Sequence, residues 1–260
     1  MDKEQRLTTH FPLDIFVSLH YYIEKNYPRR TTVHEESLLM DIFVNPHKFP
    51  HYVSYAILAS LLLIIVALVV RGSLALVPRG TQNFIEVLVE ALYKLVDDNI
   101  GHGWGKHFLP FIGTIALYIL TCNLMGLIPG FTAPTSNINM TASMAVPVFL
   151  ATHYYGIKLH GMKYINHFVG PIRSIAALPL MILMFFIEFI GHLVRPVTLS
   201  VRLFGNMVAK HYLLGVLGIL VPAVIPVAIL GLGVLVSVIQ AFVFTLLTTL
   251  YLAGAVEEAH

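Results

Sequence analysis

Residues 174 to 211 read SIAALPLMILMFFIEFIGHLVRPVTLSVRLFGNMVAKH. Leu, Ile, Phe, Met and Val dominate this stretch, yet six polar side chains interrupt it at helical spacing. With Glu188 set to zero and 100° per residue, His192 falls at about +40°, Arg195 at about −20°, Arg202 at about −40°, Asn206 at about 0° and Lys210 at about +40°. All six lie within an arc of roughly 80°. A charge at bilayer depth costs roughly 2.5–3.5 kcal/mol on insertion scales, so such a stripe must face protein or water. Intramembrane ionisable groups are functional by default. As one helix the stretch is about 57 Å long, against a hydrocarbon core of about 30 Å. Tilt alone would need roughly 60° from the membrane normal, beyond the usual range. Pro196, in the middle, is an expected bend.

The rest of the chain agrees with a membrane setting. Of 260 residues, 57% are hydrophobic and 12% charged, about half the charged share of a soluble domain. Mean hydropathy is +0.78. These values exclude a disordered chain, a fibrous repeat and an ordinary cytosolic domain. A single cysteine, Cys122, excludes a disulfide framework and a CxxC metal site. The net charge of +2 is spread along the chain, so no nucleic-acid footprint stands out. The fold class is therefore an all-α polytopic membrane protein. It is expected to hold one N-terminal span, an interfacial amphipathic helix, a two-helix hairpin and two long tilted helices.

Boundaries follow the apolar runs. Residues 1–52 form an N-terminal extramembrane region and 53–260 the membrane domain. Spans are expected at about 53–71, 108–128 and 140–157, and tilted helices at about 174–218 and 227–256. The start, MDKEQR, is polar and lacks an apolar region and cleavage site, so no signal peptide is expected. In residues 82–98, Gln82, Glu86, Glu90, Lys94 and Asp97 share one face, and Phe84, Leu88, Leu92 and Leu95 the other. This pattern predicts a helix lying in the membrane interface. The basic residues Arg71, Arg79, Lys94 and Lys106, and then Lys158, Lys163 and Arg173, fall in two loops. The positive-inside rule puts those loops in the cytoplasm, the N-terminus outside and the C-terminus inside.

The last helix carries a second polar line. Ser237, Gln240, Thr248 and Tyr251 lie at about 0°, −60°, +20° and −40°. Gln240 both donates and accepts, which suits a partner for Arg202 or water. Ser237 and Thr248 read more simply as helix–helix hydrogen bonds. Of 13 histidines, five (His10, His20, His34, His47 and His51) precede the first span and read as solvated. His153 sits inside a span and stays ambiguous. His211, at the end of the stripe helix, is a proton-path candidate. No paired ligands for a metal or haem appear, and no GxxxxGK[ST] phosphate loop, so no cofactor is expected.

At these residues the chain resembles subunit a of the membrane (Fo) sector of rotary ATP synthases. Arg195 to Met207 (RPVTLSVRLFGNM) is similar to that family's signature, and Gln240 to Tyr251 (QAFVFTLLTTLY) to its last helix. Asn123 to Pro129 (NLMGLIP), Asn137 to Thr141 (NINMT) and Val77 to Asn83 (VPRGTQN) fit as well. The likeness covers about residues 40–258. The resemblance implies two long tilted helices embracing a rotating ring of c subunits, with b-type peripheral stalk subunits and membrane lipid as further partners. It implies that Arg202 is the essential arginine, facing each passing c-subunit carboxylate and separating two water-filled half-channels. Glu188 and His192 would then serve the cytoplasmic half-channel. Asn206, His211 and Gln240 would serve the outer one, with Asn137, Asn139 and Lys210 near its mouth. Two positions depart from the family pattern. Lys210 stands where members usually place a small residue, and Gly233 where they often place His or an acid.

The function so implied is proton translocation by a stator subunit that is no enzyme alone. It would sit in a bacterial inner membrane, or alternatively an organellar one. The competing reading is a secondary ion or solute transporter with a midplane polar site. That class predicts an internal repeat in two halves, and only one half of this chain carries the stripe.

Overall fold

The computed structural model describes residues 50–72, 75, 80–101, 103–128, 131–161, 164, 178–220 and 225–256. Among them are six α-helices and no strand: α1 His51–Gly72, α2 Thr81–Ile100, α3 Gly105–Met125, α4 Ile138–His160, α5 Leu178–Leu220 and α6 Ile225–Val256. A 3-10 turn, Pro134–Ser136, precedes α4. Residues 1–49, Arg79, Lys163, Arg173 and the C-terminal residues 257–260, on which expectations above rest in part, lie outside the described residues.

Among the described residues four helices are long and apolar enough to cross a membrane: α1, α3, Met181–Val216 within α5 and Ala228–Val256 within α6. Helix α4, expected to span, is long enough but more polar and is not among the four. Beyond Ser60, α1 leaves Leu61, Ile64, Ile65, Leu68 and Val69 exposed. An apolar surface of that extent belongs against lipid or another protein.

Glycines at positive φ punctuate the chain. Gly101 (φ 98°) closes α2 and returns its N–H to Asp97 O, and Gly161 (φ 54°) closes α4 on Ile157 O. Both conformations suit a residue without Cβ. Helix α3 stops at Met125, short of the apolar run's expected end at Ile128. There Gly126 lies against Ala133, where a β-carbon would collide, and the chain folds back towards the 3-10 turn. Thr135 Oγ1 then donates to Asn123 Oδ1 at 2.8 Å, both residues being buried.

Helix α5 runs unbroken through Pro196 for 43 residues, or about 65 Å. Pro196 denies His192 O its usual donor, yet it does not end the helix. Thr198 and Ser200 hydroxyls donate to the carbonyls of Arg195, Pro196 and Val197 nearby. Hydroxyls of this kind, with packing neighbours, let membrane helices tolerate proline.

Helix α6 contacts α2, α3, α4 and α5, and so sits centrally. It runs antiparallel to α5: Asn206 meets Gln240, while Arg195, earlier on α5, meets Tyr251, later on α6. The main core joins four helices, through Ile119 of α3, Met144 and Val148 of α4, Leu199 and Leu203 of α5, and Phe244 of α6. A second cluster pins α2 to α3 and α6 through Val96, Phe108, Ile112 and Leu252.

The polar face expected on α2 is interrupted at its start. Gln82 is buried, exchanging hydrogen bonds with the backbone of Ala75 and donating to Glu86 Oε1 at 2.8 Å. Glu90 and Lys94 stay exposed and pair at 3.0 Å. Phe84, on the opposite face, is 68% exposed.

Candidate functional site

The stripe on α5 divides into two environments. Its first part, Glu188, His192 and Arg195, turns towards α4 and α6. Glu188 Oε1 lies 3.1 Å from His192 Nε2, and Arg195 Nη1 lies 3.5 Å from His192 Nδ1. A guanidinium only donates. His192 Nδ1 therefore accepts, and Nε2 carries the hydrogen offered to Glu188. The three form one directed chain, Arg195 to His192 to Glu188. Arg195 also lies over the Tyr251 ring, 5.2 Å from its centre, a cation–π contact. Beside this chain a small cavity between α4, α5 and α6 is lined by Phe149, Thr152, His153, Pro196 and Leu199, among others.

The second part turns outward. Arg202 is exposed, and its guanidinium has no hydrogen bond or ion pair among the described residues. Leu193, Val194, Val197 and Val201 of the same helix are exposed, as are Val238, Ile239 and Phe242 of α6. A charge that stays ionised at any working pH thus stands on an apolar face with no partner among the described residues.

Asn206 and Gln240 come together, Nδ2 to Oε1, at 2.6 Å. The expectation for Gln240 named Arg202 or water as its partner; its oxygen meets Asn206 instead. Angular position on one helix does not give axial register against the next, and the antiparallel register puts Gln240 one turn past the arginine. Gln240 Nε2 is buried without a partner in the described chain, as are Asn123 Nδ2, Lys210 Nζ and Thr248 Oγ1. Ser237 donates to Gly233 O at 2.7 Å and lies 3.4 Å from Asn123 O, the helix-joining role expected of it.

Lys210 and Gly233 prove to be neighbours. A β-carbon on Gly233 would stand 3.3 Å from Lys210 Cδ and 2.6 Å from Leu127 Cδ2. The bare backbone of α6 makes room for the lysine stem, so the two departures from the family pattern complement each other in volume. His211 is half-buried beside them. Asn137 caps α4, its Oδ1 accepting from Asn139 N at 2.9 Å; Asn139 is exposed.

One residue at the site was left without a role by the sequence. His153, on α4, meets the His192 ring edge to face, with centres 5.3 Å apart. Its only signal in the sequence was a position inside an apolar run.

Long apolar helices that hold ionisable and amide groups along their length define a polytopic membrane protein built to handle an ion. A family model described as "ATP synthase A chain" matches residues 53–253. ATP synthase subunit a of Geobacter sulfurreducens is 49% identical over 208 residues, 80% of this chain and 88% of that protein. ATP synthase subunit a of Trichlorobacter lovleyi is 49% identical over 199 residues, 76% of this chain and 84% of that one. ATP synthase subunit a 1 of Pelobacter propionicus is 47% identical over 208 residues, covering 80% and 88%. The chain belongs to the ATP synthase A chain family.

Proposed function

We propose that the chain is the proton-conducting stator subunit a of a rotary ATP synthase, acting through Arg202 on a ring of c subunits. The observation that carries this reading is the setting of Arg202: exposed, unpartnered among the described residues, and framed by exposed valines and leucines of its own helix. An arginine so placed in a membrane needs an acid from outside the chain. A passing carboxylate would lose its proton there, because a nearby guanidinium favours the charged form. The same fixed charge opposes proton leakage past the site.

Two groups of side chains flank the arginine at different heights along α5 and supply the half-channels. Glu188 and His192 serve one side. Asn206, Gln240, Lys210 and His211 serve the other, with Asn137 and Asn139 towards its mouth. The buried polar atoms of Asn123, Lys210 and Gln240 that lack partners among the described residues suit a wet path on that second side. Helix α4 completes a two-span hairpin with α3, since Phe108 at the start of α3 packs on Tyr155 near the end of α4. The protein then sits in a bacterial inner membrane with its N-terminus outside and its C-terminus inside, and b-type stalk subunits hold it against the turning ring.

The test is ATP-driven proton uptake into inverted vesicles carrying Arg202→Ala. Loss of uptake with the complex still assembled supports the reading. Coupled uptake at the wild-type rate contradicts it.

A further inference from the structure

We propose that His153 of α4 is a proton-accepting residue of the Glu188 half-channel, working at Nε2 beside His192. The inference rests on the proton-conducting reading above and adds a residue from a different helix.

Its Nδ1 lies 2.9 Å from Phe149 O. A carbonyl oxygen only accepts, so Nδ1 carries the hydrogen and is tied to the helix. Nε2 is then the lone-pair nitrogen. The ring is also held sideways: Phe149 lies 4.2 Å away and Tyr164 6.1 Å, centre to centre. His153 thus has a fixed tautomer, a fixed plane and a basic nitrogen beside a chain that already runs Arg195 to His192 to Glu188. Arg195, His192 and Glu188 face this place from α5, Tyr251 from α6 and Tyr164 from the segment after α4.

The step balances simply. A proton arriving by water from the Glu188 side binds His153 Nε2 and makes an imidazolium. The same nitrogen releases it to the next water, and Nδ1–H stays on Phe149 O throughout. Accepting at His192 Nδ1 instead would set two N–H groups against each other, because Arg195 donates there. His153 supplies a basic nitrogen that His192 does not present.

The variant His153→Phe keeps an aromatic ring against Phe149 and His192 and removes the basic nitrogen. In assembled complexes, proton uptake in inverted vesicles should fall by about fivefold or more, a modest share of what a placed proton acceptor contributes. The size of the loss should change with pH, as it does for a group that takes up and releases a proton. His153→Gln, which keeps polarity without basicity, should fall alike. Wild-type uptake at every pH in both variants overturns the inference, as does an equal fall at every pH, which marks a packing role. Arg202→Ala is run in parallel. If it retains coupled uptake, the proton-conducting reading itself fails; if only the His153 variants behave as wild type, this inference alone fails.

Discussion

Replacing Gly233 by valine tests the volume exchange between α5 and α6. Even a first β-carbon at 233 stands 2.6 Å from Leu127 Cδ2 and 3.3 Å from Lys210 Cδ, where carbons normally rest roughly 3.5–4.0 Å apart. Leu127 is half-buried, and the crowded atom is the tip of its flexible side chain. Alanine should therefore be accommodated by a swing of that methyl and a shift of a few tenths of an ångström in the lysine. Valine adds two methyl groups and must displace the Lys210 stem, whose Nζ is buried. Overpacking of this kind costs about 1–3 kcal/mol. One or two kcal/mol amounts to roughly a 5–30-fold change in a population ratio. Lys210→Gly clears the stem, so the double variant should recover most of the loss, a coupling of about 1–2 kcal/mol between contacting residues. The assay is the amount of assembled complex and its ATP-driven proton uptake in the four forms of the cycle, with Gly233→Ala as the near-normal control. If Gly233→Val behaves as wild type, or if Lys210→Gly brings no recovery, the packing argument is refuted.

Two further outcomes follow from the site. Glu188→Gln keeps the size of the side chain and removes its charge, so proton uptake should slow without stopping; an unchanged rate across pH takes Glu188 out of the path. Gln240→Leu strips Asn206 of its acceptor across α5 and α6, at a cost of about 0.6–2 kcal/mol for an interhelical hydrogen bond in a membrane. The expected result is less complex surviving detergent extraction and slower uptake, and full recovery of both would remove the pair from the account.

How far the sequence could be read depended on which coordinate a feature needed. Scarcity of charge was enough to recognise the long apolar helices. The 100° step along α5 was enough to gather Glu188, His192, Arg195, Arg202, Asn206 and Lys210 on one stripe. That step says nothing of which neighbour each residue meets. Arg195 and Arg202 are close in angle, yet one lies over Tyr251 and the other stands exposed, because α4 and α6 cover only part of α5. Gln240 met Asn206 rather than Arg202 for the same reason: register between helices is a tertiary quantity. The helix continues through Pro196, with hydroxyls of Thr198 and Ser200 bonded to nearby carbonyls. Gly233 and Lys210 each looked anomalous alone and made sense only once their contact was known. His153 offered no pattern at all, since a single histidine on an apolar helix carries no periodicity to read.

The most direct measurement is the separation between the Arg202 guanidinium and the nearest c-subunit carboxylate in a structure of the assembled complex. An approach within about 4–6 Å is expected, the range over which an opposite charge shifts a carboxyl's titration, with Val197 and Val201 in the same interface. An Arg202 that faces lipid, or that pairs with an acid of its own chain while the ring lies elsewhere, would contradict it.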